Sequence, residues 1–340
     1  MEHDALVSVS LAEVEATGLA LFRNAGCEAE LAASWMQIAL DRDMQADYGR
    51  GISRLPSILE QVEAGTMSRR LDLRIERPSP MAARIFASRR DWPDQVGVKA
   101  AELAMQIAQQ HGVSFVAFPQ PHILGALLQP VLEAQYIGMV LVQNEPLMNY
   151  GTAPENLVGN NPLAICAPGN PPFIFDGALS QYGLVNLLYD ASTRGTVPAG
   201  AIIDGTGQET TDPAILQAIA ERQRTRGSML PLGGMKGLGL AMGLEFLAGA
   251  LTGGFFSANE GKPWGAGALI IVLGPQLFQH EQMARQASEY LAHFSSYPGQ
   301  HSWQQRQQAR QTGRLDYPAA IIHSLNELAA GKQLQERIAI

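Results

Sequence analysis

Apolar positions near the start of the chain recur every three or four residues, which is the period of an α-helix. A first helix is predicted to begin at Ser10, because Ser10 and Glu13 have the spacing of a capping box, and to end at Gly26. A second helix, apolar on one face, runs to about Asp43, and a third ends at Gly65. The first 65 residues are therefore predicted to form a small helical unit.

From residue 71 onward, helical segments alternate with short apolar runs that are typical of strands. The predicted helices cover 95–110 and 125–136, and the predicted strands cover 113–118, 137–143, 162–168, 172–176 and 267–275. This alternation indicates an α/β layer. The tail returns to helices at 277–295 and 318–330, and WQQRQQARQ (303–311) is either a polar helix face or an exposed connection.

We therefore expect an α/β fold built from two units. Residues 1–70 form a helical N-terminal unit that packs with the helical C-terminal segment 277–340, and residues 71–276 form the α/β body. The most apolar long stretch, 237–256, contains Glu245. It is expected to be a buried helix rather than a membrane span, because an unpaired carboxylate in a bilayer is costly.

Composition narrows the class of function. The chain has 340 residues and a net charge of −8, so we expect no nucleic-acid partner, since nothing offsets phosphate repulsion. Cys27 and Cys166 have neither metal-site nor disulfide-framework spacing, so reduced thiols and no metal are expected. The acidic N-terminus lacks the apolar core of a signal peptide. A cytoplasmic protein without a membrane partner is the expectation.

Glycines cluster in LPLGGMKGLGLAMG (230–243). The spacing in GLGLAMG matches a dinucleotide-binding fingerprint, but no strand and turn precede it, so we reject that interpretation. These glycines are explained by close packing of a helix. The preceding GGMK either places Lys236 and backbone N–H groups around an anionic group, or is a glycine turn with a solvated lysine.

Asp176 ends the apolar run PFIFD and is followed by Gly-Ala-Leu-Ser. A carboxylate at the end of a strand can orient a ligand or act as an acid or base. It can equally cap the helix that follows. Taken alone, these residues favour the helix cap.

Taken in order, these blocks resemble the type-2 malate/L-lactate dehydrogenase family of NAD(P)-dependent oxidoreductases, over nearly the whole chain. The family's G-x-N-P-[LI]-A and D-x-A-x-S motifs match GNNPLA (159–164), Asp176, Ala178 and Ser180. Its TTDP, GGHKG, R-x-P and P-G motifs match 204–213, 233–240, 54–56 and 298–299. ALTGGFFS and PWGAGALIIVLGP resemble most the 1-piperideine-2-carboxylate/1-pyrroline-2-carboxylate reductase branch.

The resemblance implies a non-Rossmann, malate/L-lactate dehydrogenase-like fold, a homodimer, NADPH or NADH as cofactor, and a small carboxylate as substrate. The cofactor and substrate would lie between the α/β body and the helical unit. The cofactor contacts it implies are Phe175, Asp176, Ala178, Ser180, Met235, Lys236, Gly299, Gln300 and His301. The family's R-x-P arginine meets the substrate carboxylate, which assigns that role to Arg54, with Arg50 and His122 as further substrate-binding candidates.

Three family histidines are missing from this chain. Gly49 and Arg50 stand in place of Ser-His, Met235 replaces the histidine of GGHKG, and the H-F-G motif falls on 123–125, with His122 one place early. A guanidinium stays protonated, so Arg50 cannot readily donate a proton to an alkoxide, although it can grip a carboxylate. Reducing a protonated cyclic imine gives a neutral amine and needs no such donor.

The catalytic candidates are therefore Arg50, Asp176 and Tyr48. Tyr48 or Asp47 either replaces the missing proton donor or faces solvent as an ordinary loop residue. Three hypotheses follow: an NAD(P)H-dependent reductase of a small 2-imino or 2-oxo carboxylate, an enzyme with changed, non-redox chemistry on a similar acid, or a pseudoenzyme that acts as a binding partner. The retained Lys236, Asp176 and Pro298-Gly299 favour the reductase.

Overall fold

The protein is seen in a computed structural model that describes residues 6–258 and 267–339, so residues 263–266 of the PWGAGAL segment lie outside it. The helices are α1 Leu11–Asn24, α2 Ala29–Asp43, α3 Leu55–Glu63, α4 Pro93–His111, α5 Gln129–Glu133, α6 Leu184–Arg194, α7 Pro213–Ala220, α8 Met235–Leu244, α9 Met283–Leu291, α10 Gln300–Thr312 and α11 Ala319–Gly331. The strands are β1 Leu6–Ser10, β2 Arg74–Ser79, β3 Ala82–Phe86, β4 Val113–Pro119, β5 Ile137–Val142, β6 Pro146–Met148, β7 Val158–Gly159, β8 Leu163–Ala167, β9 Phe173–Gly177, β10 Ile202–Asp204, β11 Glu209–Thr210, β12 Gly227–Met229, β13 Gly267–Leu273 and β14 Arg314–Pro318.

A seven-stranded sheet in the order β2-β3-β4-β13-β5-β8-β9 forms the centre of the body. Its described strands pair antiparallel except for β3 and β4, so it is not the parallel sheet of a Rossmann domain. Helix α4 covers one face, where Ala100, Ala104 and Ile107 pack with Val116 and Val140 in one buried cluster. The predicted α/β class is confirmed.

A five-stranded sheet, in the order β11-β10-β12-β6-β7, lies beside the larger one. Its core joins Met148, Ile202 and Met229 to Leu216 of α7 and Leu244 of α8. The short strands of this sheet carry no clear period of two in the sequence, and the sequence patterns did not predict them.

The two ends of the chain meet in one cluster. Strand β1 pairs antiparallel with β14, and Phe22, Trp35 and Leu55 share a core with Tyr317 and Leu325. The polar segment 303–311 is part of helix α10. The division of the chain at residues 70 and 277 stays a prediction.

Three predicted elements are corrected. Ser10 is the N-cap residue of α1, but its side chain makes no capping hydrogen bond, and Glu13 instead accepts the Ala339 N–H at 3.1 Å. The helix predicted over 125–136 is a 3-10 turn followed by the short α5, and Gln135 has a positive φ that ends it. The helix predicted over 277–295 is confined to α9.

The segment 237–256 is also different from the prediction of a buried helix. Helix α8 continues as a π-helix over Glu245–Ala250, and Glu245 is buried. The opposite side is apolar and exposed, with Phe246 58% and Leu251 71% accessible. In the described part of the chain, no helix is long and apolar enough to cross a membrane.

Candidate active site

A cleft of about 920 Å³ lies where the helical unit meets the body. Its walls come from the end of α2 and the loop that follows, the end of β9, the first turn of α6, and the turn that precedes α10. The cleft therefore gathers residues that are far apart in the sequence. Of the predicted site residues, those lining it are Arg50, His122, Phe175, Asp176, Ala178 and Gly299.

Asp176 stands near the end of edge strand β9 and opposite Ala164 of β8, so the sheet fixes its backbone. Its Oδ2 accepts the Gly125 N–H at 2.8 Å and Arg42 Nη2 at 3.4 Å. A Cβ at residue 125 would lie 2.9 Å from that oxygen, so a glycine is needed for this approach. Asp176 is therefore held in the cleft wall, and it does not cap a helix, because α6 begins at residue 184 with Gly183 as its N-cap.

The turn at Pro298-Gly299 is packed onto the same strand. Ile174 N–H donates to the Pro298 carbonyl at 3.2 Å, and Gly299 has a φ of +87°. A Cβ at residue 299 would lie 2.7 Å from Ile174. Both the positive φ and this close approach require glycine, which explains the P-G motif as the closure of the cleft against β9.

Arg50 extends into the cleft from the loop after α2, with its side chain 43% exposed. Its Nη1 lies 3.3 Å from Asp47 Oδ2, and Arg42 Nη1 lies 3.8 Å from the same oxygen. Two guanidinium groups thus share one loop carboxylate. The partly exposed guanidinium of Arg50 presents to the cleft a planar fork of a kind that suits a carboxylate.

Tyr48 is not among the residues that line this cleft. Its hydroxyl donates to the Asp316 carbonyl at 2.7 Å, and its ring packs 5.6 Å from that of Tyr317, beside a second cavity of about 540 Å³. Burial, followed by the charges of Asp43 and Asp316, raises the pKa of Tyr48. A proton donor role for Tyr48 therefore has no geometric support.

Arg54 lies outside the cleft lining, where its Nη1 is 4.0 Å from Asp94 Oδ2. The same buried carboxylate accepts the backbone N–H of His122 at 2.7 Å and lies 3.7 Å from His122 Nδ1. Burial raises the pKa of Asp94, but the hydrogen bonds and charge of His122, with Arg54, lower it further, so that the net shift is downward. Asp94 therefore contacts both His122, which lines the cleft, and Arg54, which does not.

The remaining predicted cofactor residues lie outside the cleft lining. Ser180 is buried and donates to the Tyr182 carbonyl at 2.7 Å. Met235 and Lys236 are exposed at the start of α8, after two glycines with positive φ. Gln300 and His301 begin α10 just beyond Gly299. Within one chain, none of these four exposed or partly exposed residues joins the cleft wall.

Sequence reasoning missed the polar wall opposite Asp176. Gln120, Asn144 and Asn160 line the cleft and form a chain of amide hydrogen bonds, in which Gln120 donates to Asn144 and Asn144 donates to Asn160 at 2.7 Å. Asparagine and glutamine in loops carry no strong sequence signal. The one available indication was Asn160, inside the GNNP motif.

Buried Glu245 supports this wall from behind. Its carboxylate accepts Asn161 Nδ2 at 2.7 Å, Ser257 N–H at 2.7 Å and Ser257 Oγ at 2.6 Å. Asn161 Oδ1 in turn accepts the Asn144 N–H at 2.8 Å. The π-helix turn places this carboxylate inside the protein, where a fully hydrogen-bonded charge fixes its neighbours.

A second missed residue is Arg42, in the last turn of α2. It is 8% exposed, lines the cleft and contacts both Asp47 and Asp176. The sequence offers little indication of this role, because an arginine near a helix C-terminus is ordinarily explained by its favourable interaction with the helix dipole. Its partner Asp176 is 134 residues away.

Comparison with known proteins fits this architecture. The model of the malate/L-lactate dehydrogenase family matches residues 9–326, so the chain belongs to this family. A Delta(1)-pyrroline-2-carboxylate/Delta(1)-piperideine-2-carboxylate reductase of Pseudomonas putida is 27% identical over 327 residues, covering 91% of this chain and 93% of the relative. An L-sulfolactate dehydrogenase of Methanocaldococcus jannaschii is 30% identical over 264 residues, covering 75% and 74%.

Among solved structures, delta1-piperideine-2-carboxylate reductase from Pseudomonas syringae pvar. tomato superposes with a TM-score of 0.78 at 25% identity. The match covers 95% of this chain and 100% of that one. The fold and the resemblance predicted from the motifs are confirmed. These relatives are dehydrogenases and reductases of small acids.

Proposed function

We propose that the protein is an NAD(P)H-dependent reductase of a small 2-imino carboxylate, such as a cyclic imine, in preference to a 2-oxo carboxylate. The observation that supports this most is that the guanidinium of Arg50 and the carboxylate of Asp176 line the same cleft. A cyclic imino acid carries a carboxylate and, once protonated, a cationic N–H on adjacent atoms. These two groups match a guanidinium and a carboxylate.

The cleft fits the cofactor that the family implies. Its volume lies at the upper end of the range of about 300–1,000 Å³ found for ligand sites. The first turn of α6 and Arg222 both form part of the wall, so the positive N-terminal end of this helix lies at the cleft. Phe175, Ala178 and Gly299 would supply the apolar and backbone contacts. Bound NADPH or NADH would supply the hydride.

Arg50 then has a binding role. Its guanidinium holds the substrate carboxylate and orients the C=N bond, while Asp176 faces the nitrogen. Reduction adds a hydride to the imine carbon, and the protonated imine becomes a neutral amine with no further proton required. Because Arg50 keeps its charge, this order of events needs no acid from the loop.

His122 supports a second candidate function, reduction of a 2-oxo acid. It is a cleft residue that can carry a proton, and Asp94 orients it. In that case, His122 would protonate the developing alkoxide. The two candidate functions therefore differ in their need for His122: reduction of a 2-oxo acid requires it, and reduction of a protonated imine does not.

The test begins with a fluorescence titration of NADPH and NADH with purified protein. We expect binding of at least one cofactor, and turnover of 1-pyrroline-2-carboxylate well above that of pyruvate. His122→Asn should leave imine reduction within a few-fold of wild type. Preferential turnover of pyruvate, lost in His122→Asn, would establish the second function instead. If neither cofactor binds, non-redox chemistry or a pseudoenzyme becomes the better explanation.

We also propose that the protein is a homodimer. The apolar face made by Leu240, Phe246, Leu247 and Leu251 is 43–71% exposed in a single chain, and such contiguous faces mark interaction sites. Leu251→Glu should convert a dimer into a monomer in light scattering at micromolar concentration. Leu6→Glu, at a similarly exposed but isolated leucine, serves as the control. A monomeric wild type would contradict the proposal.

A further inference from the structure

The pair formed by Arg42 and Asp176 joins the helical unit to the body at the floor of the cleft. Arg42 belongs to α2, and Asp176 to β9, so the contact depends on how these two elements pack. The Arg42 side chain is 10% exposed and the Asp176 side chain is 28% exposed, and both line the cleft. Of the two partners, Asp176 is the one that a ligand can reach more freely.

Packing alone does not account for the buried arginine. Arg42 Nε is buried and has no hydrogen-bond partner among the described residues. Leaving such a donor unpaired costs free energy, so stability would favour an apolar residue here. A buried donor without a partner in a native structure needs an explanation, and a functional role is one such explanation.

The two carboxylate oxygens of Asp176 differ in their hydrogen bonds. Oδ2 is occupied, because it accepts from Gly125 N–H and from Arg42. Oδ1 makes no hydrogen bond to any described residue, so it remains available to a ligand. Both partners of Oδ2 are donors only, and a guanidinium has no acceptor atom. The carboxylate therefore faces the cleft as a hydrogen-bond acceptor.

An acceptor at this point discriminates between ligands. A ring N–H next to the substrate carboxylate can donate to Oδ1, whereas a carbonyl or ether oxygen would place two lone pairs against each other. We infer that Arg42 is a positioning residue that holds Asp176 as an acceptor and so makes the cleft selective for carboxylates with an adjacent N–H. This inference rests on the proposed function and names the feature of the substrate that is recognised.

Two planar acids isolate that feature. Pyrrole-2-carboxylate and furan-2-carboxylate share ring size and carboxylate, and differ in N–H against O beside it. We expect calorimetry to give about 10- to 100-fold tighter binding of the pyrrole acid to wild type, the value of one hydrogen bond to a charged group. The titrations are run with and without saturating NADPH, and need no turnover.

Arg42→Met keeps the length of the side chain and removes every donor. It should reduce the preference to less than about threefold, because Asp176 loses its contact with Arg42 and is then free to turn away. Arg42→Lys retains a charge but not the fork, and an intermediate preference is expected. Arg23→Gln, which removes an exposed ion pair with Glu336, is the matched control and should keep the full preference.

Equal affinity of wild type for the two acids, no binding of either, or an unchanged preference in Arg42→Met would each overturn the inference. If Arg42→Met does not fold, Asp176→Asn tests the same point, since the amide can donate as well as accept. A preference for the pyrrole acid without NADPH or NADH binding would refute the reductase and leave the recognition intact. If the protein reduces the imine but binds the two acids with equal affinity, the role of Arg42 is refuted and the proposed function stands.

Discussion

Replacing Asp176 with alanine is expected to lower kcat/KM for 1-pyrroline-2-carboxylate by about 10²- to 10⁴-fold, the usual cost of losing a positioned acid–base or electrostatic group. Asp176 lines the cleft, and its carboxylate is fixed by Gly125 and Arg42. Its removal takes away the group that faces the substrate nitrogen in the proposed function, and it leaves the Arg42 charge without its nearest partner in the cleft. The measurement is steady-state kinetics, with cofactor affinity determined separately by fluorescence.

A matched control is Asp190→Ala, on α6, where the carboxylate pairs with Arg194 one helical turn away rather than with a cleft residue. It should leave kcat/KM within about twofold of wild type, because an exposed helical ion pair contributes little. If Asp176→Ala retains activity within a few-fold while NAD(P)H still binds, the carboxylate is not part of the reaction site and the imine interpretation fails.

The architecture was predictable where one residue pattern dominates a segment. The three- and four-residue periods of α2 and α4 and the apolar runs of β4, β5 and β13 each survive in the structure with boundaries within a few residues. Periodicity works there because each element buries one continuous face. The π-helix turn at Glu245 and the short strands β10–β12 lack such a face, so tertiary packing decides them.

The site was only partly predictable, for a different reason. Motif order located Asp176 and Gly299, since the strand end and the glycine turn are local features. The ion pairs around the cleft are not local: Arg54 lies beside Asp94 and outside the cleft lining, and α2 brings Arg42 to Asp176. The long side chain of an arginine can reach several carboxylates in a folded protein. The sequence alone therefore does not determine which carboxylate it pairs with.

Asp43 carries the largest predicted effect on stability. It is fully buried below the loop that holds Arg50, where its Oδ2 accepts the Ile52 N–H at 3.0 Å and the Tyr317 hydroxyl at 2.9 Å. Its Oδ1 is buried without a hydrogen-bond partner among the described residues. A Cβ at Gly51 would lie 1.7 Å from Oδ1, so this glycine is what admits the carboxylate.

Burial raises the pKa of Asp43 to about 7, against the lowering effect of the bonds from Ile52 and Tyr317 and with a further rise from Asp47. In the unfolded chain the carboxyl titrates at its ordinary value of 3.8. Between these two pH values the Asp43 carboxyl is protonated in the folded state and ionised in the unfolded state. The free energy of unfolding is therefore highest below about pH 4 and falls as the pH rises to 7. The loss is at most about 4 kcal/mol and is complete above pH 7.

Asp43→Asn should therefore stabilise the protein above pH 7 and flatten the fall in unfolding free energy between pH 4 and 7. The amide oxygen still accepts from Ile52 and Tyr317, but no charge has to be buried. Urea unfolding at pH 5, 6, 7 and 8 measures the effect. Asp316→Asn, which removes an exposed carboxylate beside Tyr317, is the control and should keep the wild-type slope.

A slope that is the same in Asp43→Asn and wild type would mean that Asp43 keeps its charge in the folded protein at every pH tested. That outcome would also change the account of the loop. Ile52 lies two residues from Arg50 and donates its N–H to Asp43, so the loop is anchored on this buried carboxyl group. If the predicted slope is found, KM for the carboxylate substrate should rise as the pH rises through 7, because burying the charged form of Asp43 disfavours the packing that holds the Arg50 loop in place.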